Sequence, residues 1–431
     1  MIEEIFESGI ESVLSFWWFI IPVTIAVIFR EWWLTDITRA YIRSIKWVLL
    51  EIKIPRENLK SAKAMEQVFA NLYQITYPPG RKDRYTKGKV ENWMSFEMVG
   101  EASGVRFFVR APAEFRKLVE ASFFSQYPEA ELEEVPDYIN EIAPNLPNEK
   151  LQLFGTDLIL AREDAYPIKT YPTFEASTEE ELVDPIGVII EAVANLRGDE
   201  RLLSQLLIRP VSDDWVKKGK EVVDKVSGRK KEEKKDRFGS TSQFLKNFMV
   251  ALVKEPEWGA GGDKPAEPPP RTTPGEQDAL KAVENKLSKL GFEALWRMVY
   301  IDNRDAFTGE NVDAFFGATR HFNTYNLNSI KPNFLTMTSA YFIAKPFRIT
   351  KKMRQVRLER RRKFIWLHYV NRDIPQPVPL RFGLELKTSV FNTEELATLF
   401  HVPTTAVTPA RVRALEARKG EAPINLPVIE E

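Results

Sequence analysis

The stretch NWMSFEMVGEASGVRFFVRAP, residues 92–112, indicates the fold more directly than any other part of the chain. Its two halves, 92–100 and 105–112, are rich in aromatic and β-branched residues, which favour extended backbone. A short turn that contains Gly100 and Gly104 separates the halves. The stretch therefore predicts two strands joined as a β-hairpin.

A strand and a helix are predicted on each side of this hairpin. Upstream, WVLLEIKIP (47–55) alternates as a strand does, and residues 61–72 place apolar side chains at helical spacing. Downstream, residues 113–127 predict a helix and residues 131–135 a strand. The order β-α-β-β-α-β is that of a ferredoxin-like, split βαβ sandwich. Residues 47–140 are therefore expected to form a first ferredoxin-like α/β domain.

A second α/β domain is expected in residues 150–345. The periodicities predict strands at 151–162, 166–171, 202–211 and 292–301, and helices at 185–196 and 309–322. Helices predicted at 213–226 and 276–290 are then an insertion, and the other elements can repeat the first unit's order. The fold class is accordingly α+β, with two tandem ferredoxin-like (split βαβ) α/β sandwiches. No residue-level repeat accompanies this order.

Composition predicts a flexible insertion at 228–275. A mixed charge run occupies residues 228–237, and a Pro/Gly-rich run occupies residues 259–275. Between them lies FLKNFMVALVKEPEW (244–258), which is amphipathic. This segment could dock on the body of the protein, on a partner or on a bilayer, and the three alternatives stay open.

The segment SVLSFWWFIIPVTIAVIF, Ser12–Phe29, contains no charged residue. As a helix it would be about 27 Å long, close to the roughly 30 Å of a bilayer core. A signal peptide fits poorly because the N-terminus is acidic, and a buried core helix is the remaining alternative. Residues 1–30 are therefore expected to be an N-terminal tail and a single transmembrane helix. The predicted anchor residues are Trp17, Trp18, Phe19, Ile20, Ile21, Pro22, Trp32 and Trp33.

Basic residues follow this segment and none precedes it. Arg30, Arg39, Arg43 and Lys46 therefore predict that the N-terminus lies outside and the main body in the cytoplasm. Residues 31–46 are expected to form a juxtamembrane amphipathic helix; a linker helix packed on the body is the alternative.

Composition and missing motifs exclude several classes of function. Lys plus Arg and Asp plus Glu both number 61, so the net charge of zero provides no global attraction to nucleic acid. The chain has no cysteine, and its three histidines are far apart in sequence, so thiolate chemistry and histidine metal sites are not expected. No phosphate-binding loop, nucleophile elbow, zinc-protease motif or dinucleotide fingerprint occurs. We therefore expect no catalysis, cofactor, metal or small-molecule substrate.

Nine of the sixteen residues from 348 to 363 are Lys or Arg. Anionic lipid headgroups, nucleic-acid phosphates, an acidic partner surface and a merely solvated helix are competing interpretations. The apolar residues at 364–369 alternate as in a strand. The predicted phosphate or lipid contacts are Arg348, Lys351, Lys352, Arg354, Arg357, Arg360, Arg361, Arg362 and Lys363.

The segment VFNTEELATLFHVPTT (390–405) predicts a short helix. Asn392 is placed as the N-cap with Glu395 three residues later, which is a capping box, and Pro403 ends the helix. By itself this pattern indicates only a capped helix docked on the domain.

The same segment resembles the region before the motor domain of bacterial type IV secretion and conjugation ATPases of the HerA/FtsK-like superfamily. Residues 47–72 and 107–135 are similar to the membrane-proximal domain of those proteins. The matching residues near the C-terminus are Asn392, Thr393, Glu394, Glu395, Leu396, Ala397, Thr398, Leu399, His401, Pro403, Gly420, Pro423, Asn425, Leu426 and Pro427. The ATPase domain of these relatives is not matched, because the chain contains no phosphate-binding loop.

The resemblance implies a non-catalytic scaffold or adaptor of a type IV secretion or conjugation-like machine. It would be a single-pass protein of the bacterial inner membrane that presents its platform to a motor ATPase or to other copies of itself. Residues 346–431 would form the basic segment, the capped helix and an extended C-terminal arm. The alternative is a membrane-tethered protein that binds DNA or anionic lipid through residues 348–363. The implied partner contacts are Asn392, Glu395, Leu399, His401, Pro423, Asn425, Leu426 and Pro427.

Overall fold

The structure is a computed structural model, and it contains ten strands and twelve helices in its described part. It describes residues 17–55, 60–76, 78–142, 145–175, 184–193, 195–227, 273–339, 351–376, 386–404 and 414–415. The strands are β1 (Trp47–Pro55), β2 (Met94–Glu101), β3 (Gly104–Pro112), β4 (Glu131–Glu134), β5 (Leu151–Leu160), β6 (Arg201–Pro210), β7 (Gly291–Asn303), β8 (Ile330–Pro332), β9 (Ser389–Asn392) and β10 (Ala414–Leu415).

The helices connect or follow these strands, and three of them continue into or follow a short 3-10 turn. They are α1 (Trp17–Ser44), α2 (Ala62–Leu72), α3 (Arg81–Lys87), α4 (Arg116–Gln126), α5 (Ile139–Ile142), α6 (Tyr171–Glu175), α7 (Gly187–Val193), α8 (Asp214–Val226), α9 (Pro274–Leu287), α10 (Glu310–Thr319), α11 (Lys351–Asn371) and α12 (Thr393–Leu399). The 3-10 turns are Tyr73–Ile75, Ala113–Phe115 and Arg320–Phe322.

All the strands belong to one sheet, with the order β10-β1-β3-β2-β6-β7-β5-β8. Two strands lie off this path, since β4 pairs with β1 and β9 pairs with β7. Every pairing is antiparallel except that of β1 with β10. The prediction of a mixed α+β fold is confirmed.

The sheet has two halves that repeat one strand order. In the first half β4, β1, β3 and β2 are adjacent in that order, and in the second half β8, β5, β7 and β6 are. Numbered within its own half, each set therefore reads 4-1-3-2. The halves join where β2 pairs with β6, from Met94↔Ile208 to Glu101↔Arg201. The two halves share one sheet, and the largest apolar cluster contains residues of both.

The second half differs from its prediction at two places. Residues 166–170 form no strand, and helix α6 begins at Tyr171. The amides of Ile168 and Tyr171 donate to the side chains of Glu395 and Thr398, so they are not available to a neighbouring strand. Strand β8 was not predicted because it has only three residues and ends at a proline.

The two faces of the sheet bury different kinds of side chain. Consecutive strand residues point to opposite faces, and Phe107 and Phe108 accordingly belong to two different apolar clusters. The first cluster includes residues of α2, α4, α7, α10 and α12. The second face, which α11 covers, carries a row of four fully buried polar residues that are paired in register across β2, β6, β7 and β5. These are Glu97, Gln205, Arg297 and Asp157.

Arg372, directly after α11, links α11 to the buried polar residues of the sheet through ion pairs. Its Nε donates to Glu97 Oε1 at 2.6 Å and its Nη2 donates to Glu97 Oε2 at 3.0 Å, while its Nη1 donates to Asp137 at 2.7 Å. Burial raises the pKa of Glu97, but Arg372 together with hydrogen bonds from Ser95 and Tyr138 outweighs burial, so this pKa lies below its usual value. The backbone of Arg372 is left-handed, with φ 54°, a conformation that costs about 1–2 kcal/mol outside glycine. The buried ion pairs offset that cost.

The N-terminal helix differs from its prediction. Helix α1 is continuous through the boundary that was expected between an anchor and a juxtamembrane helix. Of the helices in the described part of the chain, none is both long enough and apolar enough to cross a membrane. The described residues therefore do not support the predicted transmembrane helix. Residues 12–16 of the predicted segment lie outside the described residues.

We expect the substitution Arg372→Met to lower the free energy of unfolding by about 3–5 kcal/mol, because it leaves the buried Glu97 carboxylate uncompensated. The urea unfolding midpoint of the full chain in mild detergent measures the change. The double variant Glu97→Gln/Arg372→Met removes both charges and should recover part of the loss. If the single and double variants were equally destabilised, the ion pair would not be the stabilising contact.

Candidate functional site

The apolar side chains of the first half of α1 are exposed. Trp18 is 61% exposed and Trp32 is 62% exposed, and no residue from Ile21 to Arg30 is buried. Because each helical residue turns by about 100°, side chains such as Ile21 and Val23 point to opposite sides of the axis. The exposed apolar residues are Trp18, Phe19, Ile21, Val23, Ile25, Ile28, Phe29, Trp32 and Trp33. Of the predicted anchor residues, the side chains of Trp17 and Ile20 lie outside the described set.

The second half of α1 packs on the body. Contact begins at Glu31 and Leu34, which are both 7% exposed. Arg30 Nη2 donates to Glu31 Oε1 at 2.6 Å. Farther along, Ile42 packs on the cluster that contains Trp93 on the second face of the sheet. Helix α1 therefore has an apolar part that projects from the body and a part that the body holds.

The basic run lies on α11, and its C-terminal continuation is helical. Residues 364–369 were predicted to alternate as a strand, but they form the last turns of α11. Ile365, Trp366 and Tyr369 are buried because helical spacing of three and four residues places them on the side that covers the sheet. The strand prediction was therefore wrong: the apolar pattern fitted two periods, and the contact with the sheet selected the helical one.

The predicted phosphate contacts divide into two groups. Arg361 Nη1 donates to the Met337 carbonyl at 3.1 Å, and Arg362 Nη1 donates to Gln152 at 3.3 Å. Burial lowers the pKa of both guanidinium groups. The exposed cations form no ion pair with a described residue; they are Lys352, Arg354, Arg357, Arg360 and Lys363. Arg348 and the side chain of Lys351 lie outside the described set.

The capping box predicted at Asn392 is confirmed. The Glu395 amide donates to Asn392 Oδ1 at 2.8 Å, and the Asn392 amide donates to Glu395 Oε2 at 3.0 Å. Glu395 also forms a fully buried ion pair with Lys286, with 2.9 Å between Nζ and Oε2. Burial raises the pKa of Glu395 even so. Asn392, Glu395 and Leu399 are all buried, so in this structure they pack inside the chain and offer no surface to a partner.

His401 is also buried, at 1% exposure. Its Nε2 lies 2.8 Å from Asp184 Oδ1, and its Nδ1 lies 2.8 Å from the Ala397 carbonyl. Asp184 also accepts a hydrogen bond from the Thr404 amide at 2.8 Å. These contacts outweigh burial and lower the pKa of Asp184. The sequence carries no signal for this pair, because 217 positions separate its members.

Four other predicted partner contacts lie outside the described residues: Pro423, Asn425, Leu426 and Pro427. The segment 244–258 also lies outside them. Within the described part of the chain, no group of three or more His, Asp or Glu side chains is arranged to hold a metal ion.

The fold and the projecting helix define an α+β protein with one continuous sheet and an exposed apolar segment at its N-terminal end. Residues 42–413 match the family described as Domain of unknown function (DUF8128), and the chain belongs to that family. The projecting part of α1 lies before the matched residues. A comparison with curated proteins found no match.

Proposed function

We propose that this protein is a non-catalytic scaffold that is attached to a membrane by the projecting part of α1. The observation that carries the proposal is the exposure of apolar side chains on opposite sides of this helix. Covering a large apolar side chain is worth about 1.5–3 kcal/mol. Apolar side chains on opposite sides of a helix favour burial in an apolar environment over exposure to water.

The body would be the platform that this attachment holds at the membrane. We propose that its halves are two ferredoxin-like units fused edge to edge through β2 and β6. The support is that both halves repeat one antiparallel strand order. A rigid sheet shared by both units suits a scaffold, because its two halves cannot rotate against each other without breaking the pairs between β2 and β6.

The partner would be a motor ATPase of the type IV secretion or conjugation class, or further copies of this chain, at the inner bacterial membrane. This part of the proposal rests on the resemblance of residues 47–72, 107–135 and 390–427 to the pre-motor region of such ATPases. The better candidate for contact with this partner is the arm formed by residues 405–431. The other predicted contacts are buried: Asn392, Glu395, Leu399 and His401.

A second candidate function is binding of nucleic-acid phosphate by α11. It is favoured by the exposed cations Lys352, Arg354, Arg357, Arg360 and Lys363, which have no carboxylate partner among the described residues. Desolvation costs little for cations that are already exposed, so they can neutralise phosphates directly.

We expect the full chain to float with neutral phosphatidylcholine vesicles in a density gradient. The triple substitution Ile21→Asp/Ile25→Asp/Phe29→Asp should abolish flotation, because charged side chains strongly disfavour transfer into hydrocarbon. The matched control is Phe124→Asp/Tyr325→Asp/Leu335→Asp, which places the same charges at exposed apolar positions of the body. Equal flotation of the α1 variant and the unchanged chain would contradict attachment through α1.

The motor proposal predicts that a type IV secretion-class ATPase, identified by mass spectrometry, co-purifies with the full chain from its native host. Deletion of residues 405–431 should remove this ATPase and leave flotation with vesicles unchanged. Recovery of the ATPase with the shortened chain would exclude the arm as the contact. Recovery of no such ATPase with the full chain would refute the adaptor role.

For the second candidate, we expect salt-sensitive binding of duplex DNA that is lost when Lys352, Arg354, Arg357, Arg360 and Lys363 are changed to Gln. The slope of log K against log salt should fall by about 0.9 for each phosphate contact removed. The control changes five exposed lysines of α8 and α9 to Gln: Lys217, Lys218, Lys220, Lys225 and Lys281. If both variants bound DNA as the unchanged chain does, α11 would not be a nucleic-acid site.

A further inference from the structure

A second basic surface lies directly beside α1, on the short helix α3. The sequence RKDRYTKGK (81–89) contains five basic residues and one acidic residue, Asp83. Helix α3 ends at Gly88, which has a left-handed φ of 64° and caps the helix. A Cβ on Gly88 would lie 2.3 Å from the Ile37 carbonyl oxygen of α1. Only glycine therefore allows α3 to sit this close to α1.

The position of α3 along α1 matches the depth of lipid headgroups. Trp32 and Trp33 end the exposed apolar part of α1, and Thr38 lines a groove of about 200 Å³ together with Arg84, Tyr85 and Lys89. At 1.5 Å per residue, Thr38 is about 7–8 Å beyond Trp33. The headgroup layer of a bilayer leaflet has about the same thickness. Cations of α3 would therefore be level with phosphates when the apolar part is in hydrocarbon.

Three of the cations on α3 face solvent. Arg81, Lys82 and Lys87 are exposed. Asp83 pairs with Lys87 at 3.2 Å and with Lys89 at 3.4 Å, and the hydrogen bond from Lys87 is the main reason that the pKa of Asp83 is lowered. The exposed residues Arg81 and Lys82 add positive charge beside these pairs.

Helix α3 also reaches the end of the apolar segment. Tyr85 of α3 lines the same groove as Leu34, which follows Trp33 on α1. Tyr85 is 47% exposed, so its ring is free to lie among headgroups as aromatic residues do at bilayer boundaries. Helix α11, in contrast, carries its buried cations toward Gln152 and Met337 at the β5 side of the sheet.

We propose that α3 is the surface of this protein that contacts anionic lipid headgroups. The proposal rests on the attachment of α1 to a membrane and adds the lipid class that the attachment would select. Charge complementarity favours phosphate, and the continuity of α3 with the apolar part of α1 favours the phosphate of a bilayer over that of a nucleic acid. The folded chain would thus add to the positive flank that Arg39, Arg43 and Lys46 already provide.

The test compares flotation of the full chain with phosphatidylcholine vesicles and with vesicles that also contain phosphatidylglycerol. The unchanged chain should bind both and prefer the anionic vesicles. The variant Arg81→Gln/Lys82→Gln/Arg84→Gln/Lys87→Gln should keep its binding to neutral vesicles and lose at least about tenfold in affinity for anionic ones, since each cation near the surface is worth about fivefold. The control variant changes Lys217, Lys218, Lys220 and Lys225 to Gln and should keep the preference.

A second variant separates the position of α3 from its charge. Gly88→Val retains every cation but should push α3 away from Ile37, so the preference for anionic vesicles should fall while binding to neutral vesicles stays. Circular dichroism of both variants checks that the fold is retained.

The outcomes distinguish this inference from the proposal on which it rests. If the unchanged chain floated with neither kind of vesicle, membrane attachment through α1 would be wrong. If it floated equally with both, or if the α3 variant kept the preference, attachment would stand and α3 would not be the headgroup contact. If the preference for anionic vesicles were lost only when the α11 cations are neutralised, α11 would be the headgroup contact. If neutralising α3 removed DNA binding but not the lipid preference, the surface would serve nucleic acid.

Discussion

The antiparallel pairing of β2 with β6 is the constraint on which the rest of the structure depends. Eight residue pairs, from Met94↔Ile208 to Glu101↔Arg201, turn two four-stranded halves into one sheet. Because the sheet is continuous, helices from both halves bury their apolar sides on the same face and form one core. The opposite face is covered by α11 and the segment after it, together with α5 and part of α1.

The buried polar residues under α11 explain why this helix has a buried end and an exposed, basic beginning. Glu97 and Gln205 face each other across the junction between β2 and β6, and Arg372 at the end of α11 pairs with Glu97. Buried charges are tolerated only with close partners, so the end of α11 is held in one place. The beginning of the same helix extends its cations into solvent. One helix therefore serves both as the cover of a polar sheet face and as an exposed basic surface.

Helix α1 shows the same division between a held part and a projecting part. Contact with the body begins at Glu31, whereas the apolar side chains from Trp18 to Phe29, and Trp32 and Trp33, are exposed. Gly88 brings the cations of α3 against the held part, next to the end of the apolar part. The proposed attachment to a membrane and the proposed choice of anionic lipid thus follow from neighbouring features of one surface.

Local patterns in the sequence predicted what local hydrogen bonds decide. The hairpin at 92–112 and the capping box of Asn392 and Glu395 form as expected, because their partners are a few residues apart. The alternation of predicted helices and strands also predicted the mixed α+β class of the fold. Tertiary structure alone decided that the halves share one sheet, that 364–369 is helical, and that Asn392, Glu395, Leu399 and His401 are buried. It also placed α3 against α1 and Asp184 against His401. Periodicity fixes which side of an element is apolar, whereas contacts between distant residues determine what that side meets and which polar groups lose their access to water.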